Sequence, residues 1–203
     1  RPVIFSAHGV PKSVPNEAIN RKMFYSGLIV FFGVHLIPLN TKIKESLKNR
    51  LGENTYMGSF SAISLLGFLL IVFGYEVSSN SLYAINRSAY IYSKYIMFIS
   101  LTFLIAANMP SFIKKISQHP MSIGIAVWSA LHLLTNSDTV SVVLFSSFLV
   151  YAIISVLIAE ARKQEKKEFS PKIIFDVLSI ALGVFFTFLA YNYHEYLSGV
   201  SLS

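Results

Sequence analysis

The sequence contains no cysteine among its 203 residues. Disulfides, thiolate-ligated haem and cysteine-bound iron–sulfur clusters are therefore excluded, and any bound metal needs histidine, a carboxylate or an external ligand. Charged residues are also scarce, at 13% of the chain, whereas hydrophobic residues make up 54% and the mean hydropathy is +0.58. This balance is typical of a membrane protein.

Six stretches contain no Asp, Glu, Lys or Arg, and each is 18 to 22 residues long. They are 23–41, 54–75, 95–113, 116–137, 139–159 and 177–194. A helix needs about 20 apolar residues to cross the core of a bilayer. The sequence therefore predicts an all-α polytopic transmembrane bundle of about six helices in a lipid bilayer. In the second stretch, Gly58, Gly67 and Gly74 are expected to allow close approach of a neighbouring helix.

Lysine and arginine are unevenly divided between the two sides of such a bundle. Eleven lie in the loops that join helices one and two, three and four, and five and six, whereas the other side has six at most. The positive-inside rule places the eleven in the cytoplasm and both termini outside. The net charge of +7 is thereby explained by membrane orientation, and we expect no nucleic-acid partner.

The first of these basic loops contains a helical pattern. Ile43, Leu47 and Leu51 follow one another at a spacing of four, which places them on one face of a helix. Lysines and an arginine surround this apolar face. The pattern predicts a short helix that lies in the membrane interface, and the alternative is a solvated basic linker.

The stretch 119–134 carries two histidines in an apolar run. His119 precedes Pro120, so it is expected at the helix cap with the proline in the first helical position. His132 follows thirteen residues later, one turn beyond Trp128. At 1.5 Å per residue the two histidines are roughly 20 Å apart along the axis, too far to ligate one metal. His119 is expected near the membrane surface and His132 deeper.

An imidazole in the bilayer core loses its hydration and needs a partner. For His35 and His132 this partner is either a metal, with haem iron held between two neutral imidazoles, or a hydroxyl or backbone group. Asp176 has two interpretations as well. It is either an intramembrane proton site or an acid near the start of a helix, favoured there by the helix dipole. His194 is expected at the interface.

Residues 1–22 differ from the rest of the chain, with three prolines and mixed charges. The segment VIFSAHGVPKSVPNEA resembles the AHGV-containing stretch of the LytB/IspH family, the 4-hydroxy-3-methylbut-2-enyl diphosphate reductases. In that family the histidine matching His8 contacts the substrate diphosphate, and cysteines hold an iron–sulfur cluster. Because those cysteines are missing, we interpret 1–22 as a disordered or chimeric LytB/IspH-like fragment before a domain at 23–203.

Several motifs after residue 22 resemble the NnrU family of bacterial integral membrane proteins. They are GLIVFFGVHLIP, KKISQHPMSIGIAVWSALHLLTN, LFSSFLVYAII and HEYLSGVS, in matching order and spacing. The resemblance implies a multi-pass protein of the bacterial inner membrane, accessory to nitric oxide and nitrite reduction in denitrification. Its expected partners are the nitrogen-oxide reductase machinery or a lipophilic substrate.

Relatives of that family include 15-cis-ζ-carotene isomerase, which uses haem b. The resemblance implies that His35 and His132 are haem ligands and that His119 is a further important position. Ser129 stands where the isomerase has a cysteine, which argues against simple transfer of its mechanism. In the six-helix interpretation the two ligands differ in depth by roughly 10 Å, so His35 alternatively pairs with His119.

Three functions stay open at this point, and with them the question of whether the protein is an enzyme. The first is the accessory protein of nitrogen-oxide reduction, with haem b as its implied cofactor. The second is a haem-dependent cis–trans isomerase of a lipophilic polyene such as a carotenoid. The third is a cofactor-free small-solute transporter, for which the sequence offers no clear inverted repeat.

Overall fold

The computed structural model describes residues 13–162 and 168–198, and the regular elements in these ranges are nine α-helices and one short 3₁₀ turn, Ile37–Leu39. The helices are α1 Ser13–Leu36, α2 Thr41–Leu51, α3 Glu53–Gly74, α4 Arg87–Ile91, α5 Ser93–Ala106, α6 Phe112–Ser117, α7 Pro120–Thr135, α8 Thr139–Ala161 and α9 Ile173–Ser198. The predicted all-α class is confirmed.

Four of the described helical segments are long and apolar enough to cross a membrane. They are Glu17–Leu39, Glu53–Gly74, Thr139–Ala161 and Ile173–Glu195, each of 22 or 23 residues. They match four of the six charge-free stretches of the sequence. The protein is accordingly a multi-pass membrane protein.

The other two stretches form shorter apolar helices than we predicted. Helix α5 has 14 residues and α7 has 16, so they measure about 21 and 24 Å against a bilayer core of about 30 Å. Pro110 follows shortly after α5, and Gln118, with a φ of 61°, separates α6 from the start of α7. A charge-free stretch is therefore longer than the helix that it contains wherever a turn of uncharged residues interrupts that helix.

Helix α1 begins at Ser13, ten residues before the boundary that we predicted at Met23. Residues 13–22 are continuous with the first apolar helix. Residues 1–12, with the AHGV motif and His8, lie outside the described residues. The LytB/IspH-like segment and the membrane domain thus share a helix across residue 23.

The chain divides into two units, Arg1–Ser78 and Ser79–Ser203, and each is described by itself. In the first unit α1 packs along α3 at glycine positions. A Cβ at Gly67 would lie 2.7 Å from the Phe31 amide nitrogen, and a Cβ at Gly74 would meet the backbone of Phe24. The expected close approach is confirmed at these two glycines. It is wrong for Gly58, where a Cβ would meet nothing within 4 Å.

The basic loop forms the short helix that the sequence predicts. The side chain of Asn40 accepts a hydrogen bond from the Ile43 amide and caps α2, and Gly52 ends the helix with a φ of 79°. Ile43 and Leu51 are exposed. Lys48 Nζ lies 2.7 Å from Glu53 Oε1, and this hydrogen bond raises the pKa of Lys48. The location of α2 in the membrane interface remains a prediction.

In the second unit α5 packs against both α7 and α9, and α7 also packs against α8. Small residues bring these helices together. Ser100, fully buried on α5, donates a hydrogen bond of 2.8 Å to the Gly124 carbonyl on α7. A Cβ at Gly183 on α9 would collide with the side chain of Thr102. Helix α5 therefore holds α7 and α9 in place.

We expect Gly67→Ala to destabilise the α1–α3 pair by about 1 to 3 kcal/mol, because the added methyl group meets backbone atoms that cannot rotate away. The matched control is Gly58→Ala on the same helix, which adds the same methyl group in open space and should stabilise the protein by about 0.5 to 1 kcal/mol. Unfolding in mixed micelles, followed by circular dichroism, measures both. Equal effects of the two substitutions would contradict the packing described here.

Candidate functional site

His132 lies in the last turn of α7 and is half-buried. Its Nδ1 is 2.8 Å from the carbonyl oxygen of Trp128, one helical turn earlier. A carbonyl only accepts hydrogen bonds, so Nδ1 carries the proton and donates it. In the neutral imidazole, Nε2 then holds the lone pair that a metal binds. The sequence of α7 thus sets both the orientation and the tautomer of this ring.

Aromatic side chains from two helices surround this imidazole. The ring of Phe145, on α8, has its centroid 4.4 Å from that of His132, and their planes differ by 29°. The Trp128 ring is 5.2 Å from His132 and makes edge contacts with Phe145 and Phe148. Trp128, a predicted site residue, therefore contacts His132 through both its carbonyl and its indole ring. These contacts restrict rotation of the imidazole.

A second histidine lies near His132 in the structure. The sequence analysis placed this residue only at the membrane interface. His194, on α9, has its ring centroid 6.5 Å from that of His132, and the two planes differ by 27°. Both side chains are half-buried. Sequence periodicity relates residues of one helix and does not reveal a pair on α7 and α9. The available signal was that both histidines lie near helix ends on the same predicted side of the membrane.

His35, the other predicted ligand, lies near the end of α1 in the first unit. Its Nδ1 is 2.7 Å from the Phe31 carbonyl oxygen, again one turn earlier. The Phe31 ring stacks on the imidazole at 4.2 Å, and Phe60 approaches at 5.2 Å. His35 therefore has the same local arrangement as His132. Since the two histidines belong to different units, their coordination of one metal stays a prediction.

His119 is the N-cap of α7, with Pro120 in the first turn, as predicted. Its Nε2 is 2.6 Å from Glu160 Oε1 near the end of α8. A second contact close by joins the hydroxyls of Ser122 and Ser155 at 2.9 Å. His119 thus joins α7 to α8 at the opposite end of α7 from His132, and the two histidines of α7 form separate sites.

The segment 79–86 caps the C-terminal end of α7, beside His132. The Tyr83 hydroxyl lies within hydrogen-bond distance of the carbonyls of Leu133 and Asn136 and donates its one proton between them. The Asn86 backbone amide donates to the Leu134 carbonyl at 2.7 Å. These carbonyls have no partner inside α7, because the helix ends there. Burial, with a smaller contribution from the Asp138 carboxylate, raises the pKa of Tyr83. The turn that carries His132 is therefore held from outside the helix.

Asp176 is 6% exposed and lies in the first turn of α9. Its two carboxylate oxygens accept the amides of Phe112 and Ile113, at 3.0 and 2.9 Å. These amides begin α6, whose first N–H groups have no partner within the helix. Asp176 thus lies in the first turn of its own helix and also caps the N-terminus of α6. These two hydrogen bonds join α9 to the start of α6. Its two interpretations from the sequence stay predictions.

Within the described ranges, no group of three or more His, Asp or Glu side chains is arranged to hold a metal ion.

The profile of the NnrU protein family matches residues 23–202, nearly the whole of the chain. The chain belongs to the NnrU family. The match includes both units from Met23 onward, so His35, His119, His132 and His194 all lie in the NnrU region. No solved structure matches this chain.

Part of the NnrU chain is also similar to reductases of another family. It is 42% identical over 59 residues to the 4-hydroxy-3-methylbut-2-enyl diphosphate reductase of Rhizobium leguminosarum bv. trifolii, which is 28% of this chain and 16% of the reductase. It is 80% identical over 25 residues to the reductase of Hyphomonas neptunium, 12% of this chain and 8% of that protein. The chain spans less than a fifth of these reductases.

Ser129 is the position at which the sequence analysis expects this chain to differ from the isomerase. The residue has no exposed surface, and its hydroxyl has no hydrogen-bond partner in the described part of the chain. It lies one turn before His132. A serine hydroxyl does not provide the thiolate that a cysteine at this position would offer to a metal.

We expect Asp176→Ala to lower the free energy of unfolding by about 2 to 3 kcal/mol, because two part-buried amides lose a charged acceptor. Asp176→Asn keeps one carbonyl oxygen and should lose less. Hydrogen exchange at Phe112 and Ile113 measures the local effect, and unfolding in mixed micelles measures the global one. Unchanged exchange in Asp176→Ala would rule out the capping role.

Proposed function

We propose that this NnrU protein binds haem b in the membrane, with His132 as an axial ligand, and serves as an accessory protein of nitric oxide and nitrite reduction. The observation that carries the proposal is the Nδ1–H hydrogen bond from His132 to the Trp128 carbonyl. Histidines that ligate metals almost always donate their other ring N–H to a carbonyl or carboxylate. His132 has this arrangement within its own helix.

The residues around His132 fit a haem ligand. The carbonyl of Trp128 makes the imidazole more basic and fixes its orientation. The ring of Phe145, on the neighbouring helix α8, packs against the imidazole and restricts its rotation. The aromatic rings also exclude water from the imidazole. When bound, haem iron supplies one-electron redox chemistry and a position for a diatomic ligand such as nitric oxide. His35 has the same local hydrogen bond, which supports the prediction that it is a ligand as well.

Membership of the NnrU family supports the accessory role in nitrogen-oxide reduction. In this role the partner is the reductase machinery in the same bilayer, the bacterial inner membrane. The uneven distribution of lysine and arginine supports an orientation with the basic loops in the cytoplasm and both termini outside. The isomerase alternative is less well supported, because Ser129 replaces the cysteine of that enzyme.

The first test is the reduced-minus-oxidised absorbance spectrum of protein purified in mild detergent from haem-replete cells. We expect a haem b spectrum in the wild type and a loss of at least about tenfold in bound haem in His132→Ala, since an axial ligand is removed. The matched control is His119→Gln, at the other end of the same helix, which keeps a donor for Glu160. A folded wild type without haem would overturn the proposal.

The second test addresses the accessory role in cells. A strain that lacks the gene should consume nitric oxide more slowly during growth on nitrite, and the wild-type gene should restore the rate. His132→Ala should fail to restore it, whereas His119→Gln should succeed. The purified protein should show no turnover of nitric oxide by itself. An unchanged rate in the deletion strain would contradict the accessory role, and turnover by the purified protein would make it an enzyme.

A further inference from the structure

A small pocket lies in the second unit, where the start of α5 meets the end of α9. It measures about 160 Å³ and is lined by Tyr90 and Ile91 of α4, Ser93 and Lys94 of α5, and Tyr191 of α9. Sites for drug-sized molecules measure roughly 300 to 1,000 Å³. The pocket therefore suits one small polar group and not a large planar cofactor.

Four of the five side chains that line this pocket are polar, and all four can donate hydrogen bonds. Within 13–162 and 168–198, the side-chain hydroxyls of Tyr90, Ser93 and Tyr191 make no hydrogen bond to another residue. The Lys94 ammonium forms no ion pair with a described carboxylate and lies 5.1 Å from the centroid of the Tyr95 ring. A cation and three hydroxyls around one small space complement the oxygens of a phosphate group.

The charges next to the pocket also favour an anion. Arg87 precedes Tyr90 by three residues on α4, so the two share a face of that helix. Glu195 follows Tyr191 by four residues on α9 and is exposed, and it forms no ion pair with Lys94. Two cations thus stand against one carboxylate, and the carboxylate lies outside the lining of the pocket.

The position of the pocket along the helices matches the membrane interface. Tyr191 lies four residues before the end of the apolar span Ile173–Glu195. Tyr92, Tyr95 and Tyr193, from the same helix ends, are exposed as well. Tyrosines are enriched at the level of the lipid headgroups, and a lysine there extends its ammonium toward the same level. A phosphate at this depth belongs to a membrane lipid.

We infer that the pocket binds the phosphodiester of an anionic phospholipid, such as phosphatidylglycerol. Lys94 pairs with the phosphate charge, the three hydroxyls donate to its oxygens, and Ile91 contacts the glycerol backbone. A zwitterionic lipid is bound less well, because it carries its own cation beside the phosphate and the cations of the protein repel it. The site is independent of the proposed haem, since it uses none of the histidines.

The test is native mass spectrometry of the full-length protein in mild detergent, titrated with phosphatidylglycerol or phosphatidylcholine. We expect Lys94→Gln to weaken the binding of phosphatidylglycerol about tenfold, because a charge-assisted hydrogen bond is lost, and Lys94→Arg to retain it. The matched control is Lys115→Gln, which removes the same charge from an exposed position on α6 and should bind as the wild type does. Equal losses in Lys94→Gln and Lys115→Gln would overturn the inference.

Two further variants change the pocket without altering Lys94. Tyr191→Phe removes only a hydroxyl and should weaken binding about threefold. Glu195→Gln removes the nearby negative charge and should strengthen binding. Wild-type affinity in Tyr191→Phe together with weaker binding in Glu195→Gln would place the lipid elsewhere on the protein.

The source of the phosphate is tested by competition. Inorganic phosphate and glycerol phosphate have the same chemistry without acyl chains, and we expect neither to displace phosphatidylglycerol at equal concentration. Displacement by either would make the ligand a soluble phosphate and would overturn the lipid assignment. Phosphatidylcholine that binds as tightly as phosphatidylglycerol would overturn the preference for an anionic lipid.

Discussion

A polar group inside a bilayer has to find its hydrogen-bond partner within the protein, because the lipid offers none. The two predicted haem ligands meet this requirement in the same way, since His35 and His132 each donate to the carbonyl four residues earlier. Asp176 and Tyr83 complete the ends of other helices from a distance in the sequence. These four residues satisfy backbone groups at or near helix ends, whereas the buried hydroxyl of Ser129 has no partner among the described residues.

Close packing between helices is the second constraint on this structure. Lipid tails are as apolar as leucine, so helices associate through van der Waals contact and a few interhelical hydrogen bonds. Where α1 meets α3, glycines leave no side chain between the two backbones. Between α5 and α7, the Gly124 carbonyl accepts a hydrogen bond from the Ser100 hydroxyl. Because α5 contacts both α7 and α9, a single short helix sets the distance between the histidines that those helices carry.

The sequence predicted those features that depend on residues close together in the chain. The start of α7 at Pro120 and the cap at His119 follow from local backbone chemistry, and four long apolar helices follow from the absence of charge. The lengths of α5 and α7 were overestimated, because the turns that end them contain no charged residue. The Asp176 cap and the His132–His194 pair are contacts between helices, which a periodic pattern within one helix does not specify.

Trp128 is the sole tryptophan of the chain, and its ring lies 5.2 Å from that of His132. The near-ultraviolet fluorescence of the protein therefore originates largely beside the candidate site. A porphyrin absorbs where indole emits, so its arrival next to His132 would quench this emission by energy transfer. The helix that carries the histidine thus also carries a built-in optical reporter, and a cofactor titration can be followed without attaching a dye.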